Sequence, residues 1–265
     1  MTKPIARQGA PRAARPAPAP RARAAIRPDP VPAHVADRMD FAGHLAGCVD
    51  GAGRGEKTRL KLLGCGLRLL ADTGFRSLNV DDVVGLAEIA KGTFYIHFTS
   101  KDAFLLELAD RYVAFEAAAA PERDPDATTF AQVRDWLAWY EEMFARNIGV
   151  VRCLVQAAET SEAMRALWHR RNAVLIDRLL GSYFPPSGAI DPALARTVLR
   201  VAGGMIDQSL FERHRVQVGP GRREPDDRAL RLELHALLCY RAIYGTNPPA
   251  DELNGTRELL AWPGR

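Results

Sequence analysis

The sequence predicts an all-α fold in two parts, a three-helix unit over residues 54–100 and a larger helical unit over 101–247. Two observations carry this. Apolar residues recur at three- and four-residue intervals from Thr58 almost to the C-terminus, which is the periodicity of helices that each bury one face. Starts and stops punctuate that pattern: Asn79, Ser100 and Asp191-Pro192 are N-terminal caps, and Gly74 and Pro185-Pro186 are terminators. An apolar fraction of 47% across 265 residues is ample for a core.

The first 53 residues read differently. Residues 1–28 contain Lys3, Arg7, Arg12, Arg15, Arg21, Arg23 and Arg27, no acidic residue and a dense Pro/Ala/Gly background. Such a stretch buries too little apolar surface to offset chain ordering, so residues 1–53 are expected to form a disordered basic arm. An added electrostatic grip on nucleic acid is one reading of it; a solvated leader, with a start near Met39, is the other.

Helix one is expected from Thr58 to Thr73, with Leu60, Leu63, Leu67 and Leu70 facing inward, Gly74 closing it in the left-handed conformation and Phe75 packing against the end. The next helix, over 80–87, starts at the cap Asn79. It has Asp81 and Asp82 in its first turn, where the helix dipole favours carboxylates, and an inner face of Val80, Val83, Val84 and Ala87. A tight turn over 87–90 leads to a third helix beginning near Ala90. Only Ala90, Phe94 and Phe98 share its inner face, so Lys91, Thr93, Tyr95 and His97 point outward, toward a partner that carries phosphate. Ser100 caps a further helix that opens with Lys101, a cation against the dipole; a phosphate bound at that helix end accounts for it.

From Thr58 to Leu106 the sequence resembles the DNA-binding domain of the TetR (tetracycline-repressor) family of bacterial transcriptional regulators. Gly74-Phe75, Asp82-Val83, Lys91-Gly92-Thr93-Phe94-Tyr95, His97-Phe98 and Ser100-Lys101 carry the resemblance. It departs from the family pattern at Glu88 and Ala90, where Gly and Ser are usual. The resemblance implies an N-terminal helix-turn-helix DNA-binding domain followed by a helical ligand-binding and dimerisation domain. The DNA-binding residues it implies are Asn79, Lys91, Gly92, Thr93, Tyr95, Ile96, His97 and Lys101. The implied partners are a double-stranded DNA operator with inverted-repeat symmetry, a second copy of the chain and a small, largely apolar organic effector whose binding releases the repressor. A constitutive DNA-binding or protein-interaction module without an effector is the alternative.

The remaining helices are expected over about 101–118, 129–147, 149–158, Ser161 to Tyr183, Pro192 to Arg215, and from Asp226-Asp227 to Tyr244, followed by a C-terminal tail over 248–265. The 129–147 helix has an apolar arc too wide for one flat contact, with Arg134, Asp135, Glu141, Glu142 and Arg146 as its wet stripe. A ligand pocket wants apolar walls with a few convergent polar groups. Trp136, Trp139, Tyr140 and Phe144, with Arg152, Gln156, Trp168, Met205 and Gln208, have that character on helices that line the family's pocket. Arg152 is either the holder of an anionic group on the ligand or a surface arginine, and Gly203-Gly204 in mid-helix makes room for a ligand or for close helix packing. By the same resemblance the last two long helices, through Leu194, Val198, Val201, Met205 and the leucines of 230–244, form the dimer face.

Other classes are disfavoured. No stretch nears the roughly 18 apolar residues of a membrane span and no apolar signal core opens the chain, so a cytoplasmic protein is expected. Cys48, Cys65, Cys153 and Cys239 contain no CxxC pair, so neither metal nor a disulfide framework is implied, and Cys153 is either a redox sensor or a small buried hydrophobe. The six histidines are dispersed, and no HExxH or GxSxG pattern occurs. Neither catalysis nor a cofactor is therefore expected.

Overall fold

The computed structural model describes residues 39–184, 190–215 and 228–261. Among these, ten α-helices run in chain order: α1 Phe41–Gly47, α2 Arg54–Asp72, α3 Val80–Ala87, α4 Lys91–His97, α5 Lys101–Ala119, α6 Thr129–Arg146, α7 Ile148–Ala158, α8 Glu162–Arg178, α9 Pro192–Arg215 and α10 Arg228–Tyr244. The basic residues 3–27, Pro185-Pro186, the Gly219–Pro225 loop and Asp226-Asp227 lie outside the described residues.

The small unit is built as its leucine spacing requires. Leu60, Leu63, Leu67 and Leu70 are buried, joined by Leu62 and Cys65. Phe94, Phe98 and Phe104 form a ring cluster with centroids 5.4, 5.5 and 5.0 Å apart. The cluster sits on bare backbone: a Cβ at Gly66 would stand 2.3 Å from Phe104. Ala90 corrects the expectation for α4, because it is the exposed N-cap of that helix and only Phe94 and Phe98 hold the inner face.

Both ends of the chain differ from expectation. Residues 41–47, assigned above to the disordered arm, form α1. Asp40 caps it, accepting from Ala42 N at 3.0 Å, and Phe41 is fully buried against Tyr112 and Phe115 of α5, with centroids 5.6 and 5.4 Å away. This short amphipathic helix escaped notice because Phe41 and Leu45 are too few apolar residues to show a period. The stretch called a tail is also docked. Leu253 is fully buried, and the Glu233 carboxylate of α10 accepts from the backbone N–H of Asn254 and of Thr256 at 3.0 and 2.8 Å.

In the larger unit α6 packs on α10 and α7 on α8, while α9 lies against α8, α10 and α6. Ser100, Thr128 and Ser161 cap α5, α6 and α8 through their hydroxyls, and Asp191 accepts from Ala193 N at 2.9 Å ahead of Pro192. Helix α8 relaxes at its end into a π turn, Leu179–Tyr183, closed by Phe184 N donating to Leu179 O at 2.7 Å. The two units touch closely where α7 meets α2: a Cβ on Gly149 would lie 2.7 Å from Ala71 N, so only glycine permits this approach.

Candidate nucleic-acid interface and ligand cavity

Helix α3, the turn and α4 present one outward face. Glu88 occupies the left-handed region at φ 54°, ψ 45°, a conformation that costs a non-glycine residue about 1 kcal/mol. Beyond it Lys91 and Gly92 are exposed, Thr93 and His97 half-buried, Tyr95 50% exposed and Ile96 77% exposed. Tyr95 and Ile96 thus leave apolar surface open on the outer side of a seven-residue helix. The exposed pair Lys91–Asp81 at 2.8 Å lifts the Lys91 pKa through that hydrogen bond, yet water and salt screen it, leaving the ammonium available to an anion.

Two candidates on this face are already engaged. Asn79 caps α3, accepting from Asp82 N at 2.8 Å and donating to the Asp82 carboxylate at 2.6 Å. Lys101 donates to Leu78 O at 2.7 Å and lies 5.7 Å from the Phe75 ring centre. That internal bond accounts for a cation at the start of α5 without a phosphate, which corrects the reason given for it from sequence.

Behind α4 lies a buried ion cluster that no sequence spacing showed. Arg59 Nε donates to Glu107 Oε1 at 2.6 Å, Arg59 Nη2 bonds the other Glu107 oxygen, and Arg59 Nη1 donates to His97 O, a terminal carbonyl of α4, at 3.0 Å. Glu107 also meets Arg111, which reaches Glu56 at 2.8 Å. One α5 carboxylate is thus wired to the end of the outward-facing helix. The Glu107 hydrogen bond and charge raise the Arg59 pKa.

Nine residues further along α5, on its opposite face, Glu116 repeats the device. Arg171, 1% exposed, donates Nε and Nη2 to the two Glu116 oxygens at 2.6 Å each, and Nη2 also reaches Tyr140 OH at 3.2 Å. Tyr112 OH donates to Glu116 at 3.1 Å, and Tyr140 OH donates to Asp207. Burial pushes the Tyr112 and Tyr140 pKa values well up and raises that of Asp207.

This cluster forms the polar end of a cavity of about 320 Å³ bounded by α6, α8, α9 and α10. Trp136, Tyr140 and Trp168 line it, as do Gly203 and Gly204. The other sequence candidates do not. Trp139 is buried with its indole N–H unpaired; Phe144 packs on Phe211; Arg152 is spent on His214 O; Gln156 lies off the cavity; Met205 and Gln208 face outward. Arg171 and Asp207 were missed, because a charged residue in a helical pattern reads as solvated surface.

Glu141 corrects the wet stripe of α6. It is buried and bonds His235 Nδ1 at 2.7 Å, and His235 Nε2 meets Ser209 Oγ at 2.9 Å. The connectivity resembles a hydrolytic triad, but Ser209 sits in mid-helix, where backbone N–H groups are taken by the helix and none remains to hold an oxyanion. The chain braces α6, α9 and α10. Cys153 is buried and its thiol is pushed up to about 12 by desolvation, the setting of a small buried hydrophobe rather than of a reactive thiolate.

A profile of the bacterial regulatory proteins, tetR family, matches residues 62–108, which hold most of α2, all of α3 and α4 and the start of α5. That segment is similar to the DNA-binding part of the tetR family. Among similar proteins, the HTH-type transcriptional regulator EthR of Mycobacterium tuberculosis is 32% identical over 119 residues, covering 43% of this chain and 54% of that one. The HTH-type transcriptional repressor NemR of Escherichia coli is 37% identical over 57 residues, 22% of this chain and 29% of its own. The chain therefore spans about half the length, or less, of these curated relatives. A tetR-family transcriptional regulator from Streptomyces coelicolor shares the fold with a TM-score of 0.57 at 18% identity, over 71% of this chain and 79% of that one. Such relatives are regulators rather than enzymes, and no helix among the described residues is long and apolar enough to cross a membrane.

Proposed function

We propose that this chain is a cytoplasmic tetR-family transcriptional repressor that binds an inverted-repeat operator as a homodimer and is released by a small, largely apolar ligand. The observation that carries the ligand is the cavity itself, ligand-sized and walled mainly by apolar side chains, with a polar cluster at one end. A constitutive DNA-binding module gains nothing from such a void, because unfilled space forfeits packing.

Helix α4 enters the major groove, with Lys91, Gly92, Thr93, Tyr95, Ile96 and His97 at the DNA; Lys91 takes phosphate and Ile96 suits a thymine methyl. Asn79 and Lys101 hold the reading head in shape, with the remaining ammonium N–H groups of Lys101 free for a backbone phosphate. The dimer face is α9, where Leu194, Val201 and Met205 are 58, 67 and 41% exposed along one side. Of the α10 leucines, Leu237 is fully buried in its own subunit and is excluded from that face.

Release follows from α5. The helix is held at Glu107 to the end of α4 and at Glu116 to the cavity wall, so a ligand that moves Arg171 moves the reading head. The ligand must favour the non-binding arrangement by about 1–3 kcal/mol or more. A gel-shift screen of small organic molecules against the protein–operator complex tests this. Dissociation by an apolar compound that also protects the protein against heat is the expected result; a complex indifferent to every compound that binds the cavity favours the constitutive module.

A further inference from the structure

The polar end of the cavity says what the ligand carries, an inference that rests on the reading of the cavity as a ligand site. Among its lining residues Asp207 is the one carboxylate. One of its oxygens accepts the Tyr140 hydroxyl, and among the described residues no cation pairs with it. The nearby guanidinium is already committed, to both oxygens of Glu116, to Tyr140 OH and, through Nη1, to Asn172 Oδ1 at 3.1 Å. The cluster therefore sets two carboxylates against one guanidinium, in a site where water screens little.

The groups that face Asp207 are Tyr140 from α6, Arg171 from α8 and, behind it, Glu116 from α5; α10 adds only the un-ionised Cys239, its thiol pushed up to about 11 by burial, and Ile243. His169 and Arg200 stand exposed at the rim, where solvent screens their charge. Beside the carboxylate lie Trp136, Tyr140 and Trp168, whose ring faces attract cations. We propose that the ligand is an amphipathic organic cation, an apolar body bearing one basic nitrogen whose N–H groups bond Asp207. An anionic head would instead meet an excess of carboxylate, and Arg152, the residue that would hold it, lies outside the cavity.

The test is a matched trio with one hydrocarbon body: 4-phenylbutylamine, 4-phenylbutanol and 4-phenylbutanoate, titrated calorimetrically into the full-length chain near neutral pH. The amine should bind at least about tenfold more tightly than the alcohol, with the carboxylate weakest. Asp207→Asn should reduce the amine's advantage to within about twofold while the alcohol binds as before, which also reports an intact cavity. If that variant does not fold, the ranking on the parent protein stands by itself. An alcohol or carboxylate that equals or exceeds the amine, or an amine advantage that survives Asp207→Asn, overturns the proposal. Binding by none of the three overturns the ligand-site reading beneath it as well.

Discussion

Tyr95 and Ile96 set the terms at the scale of single residues, because water is a poor place for either. Tyr95→Phe should weaken operator binding by on the order of 1 kcal/mol with the melting temperature unchanged, as expected when a hydroxyl bonds DNA rather than its own chain. Lys91→Ala should lower affinity for all sequences and flatten the salt dependence by about one unit of slope. The left-handed Glu88 makes a separate claim: Glu88→Gly should raise stability by about 1 kcal/mol in denaturant melts. Asp207 makes a third. Its pKa is raised in the fold, mainly by burial, so the unfolded chain gives up this proton at lower pH than the folded one. The stability it contributes is whole below the unfolded value near 4, and is lost as pH rises through the folded value. Thermal melts of ligand-free protein across that window should fall with pH, and Asp207→Asn should flatten the fall.

Among the elements, the helices of the reading head were legible in sequence, since Asn79, Gly74 and Ser100 name their ends and the leucines of α2 their buried face. Helix α1 was not, being only seven residues long. The charged core was not either, because Arg59, Glu107, Glu116, Glu141 and Arg171 carry the residue types of a solvated stripe, and only three-dimensional pairing makes them interior. Of the aromatic candidates, Trp136, Tyr140 and Trp168 do line the cavity, while its inner ionic groups, Arg171 and Asp207, were overlooked for the same reason. The pairs have a cost that can be measured. Glu116→Gln leaves Arg171 buried without its counter-charge and should lose about 3–5 kcal/mol, whereas Arg171→Met with Glu116→Leu should recover most of it. That double variant should still bind operator but respond less to ligand, because its link between cavity and α5 is gone. Gly149→Ala probes the second contact between units and should cost about 1–3 kcal/mol by forcing α7 off α2.

For the whole molecule, the proposed function depends on two copies holding two α4 helices at a fixed spacing. Helix α9 offers the outward face for this, and it carries Gly203 and Gly204, which also wall the cavity, so the proposed ligand site and the proposed dimer face share one helix. Val201→Glu should give a folded monomer by sedimentation, with operator affinity lost and helix content kept. The proposed role of α4 is to read DNA in a symmetric pair. Its most direct test is selection from a random-sequence DNA pool by the full-length protein, run beside a variant carrying Tyr95→Ala and Ile96→Ala. The predicted result is an enriched inverted repeat, with half-sites about one helical turn apart or slightly more, that the variant fails to enrich. A pool without an enriched sequence, or the same repeat recovered by the variant, would contradict it.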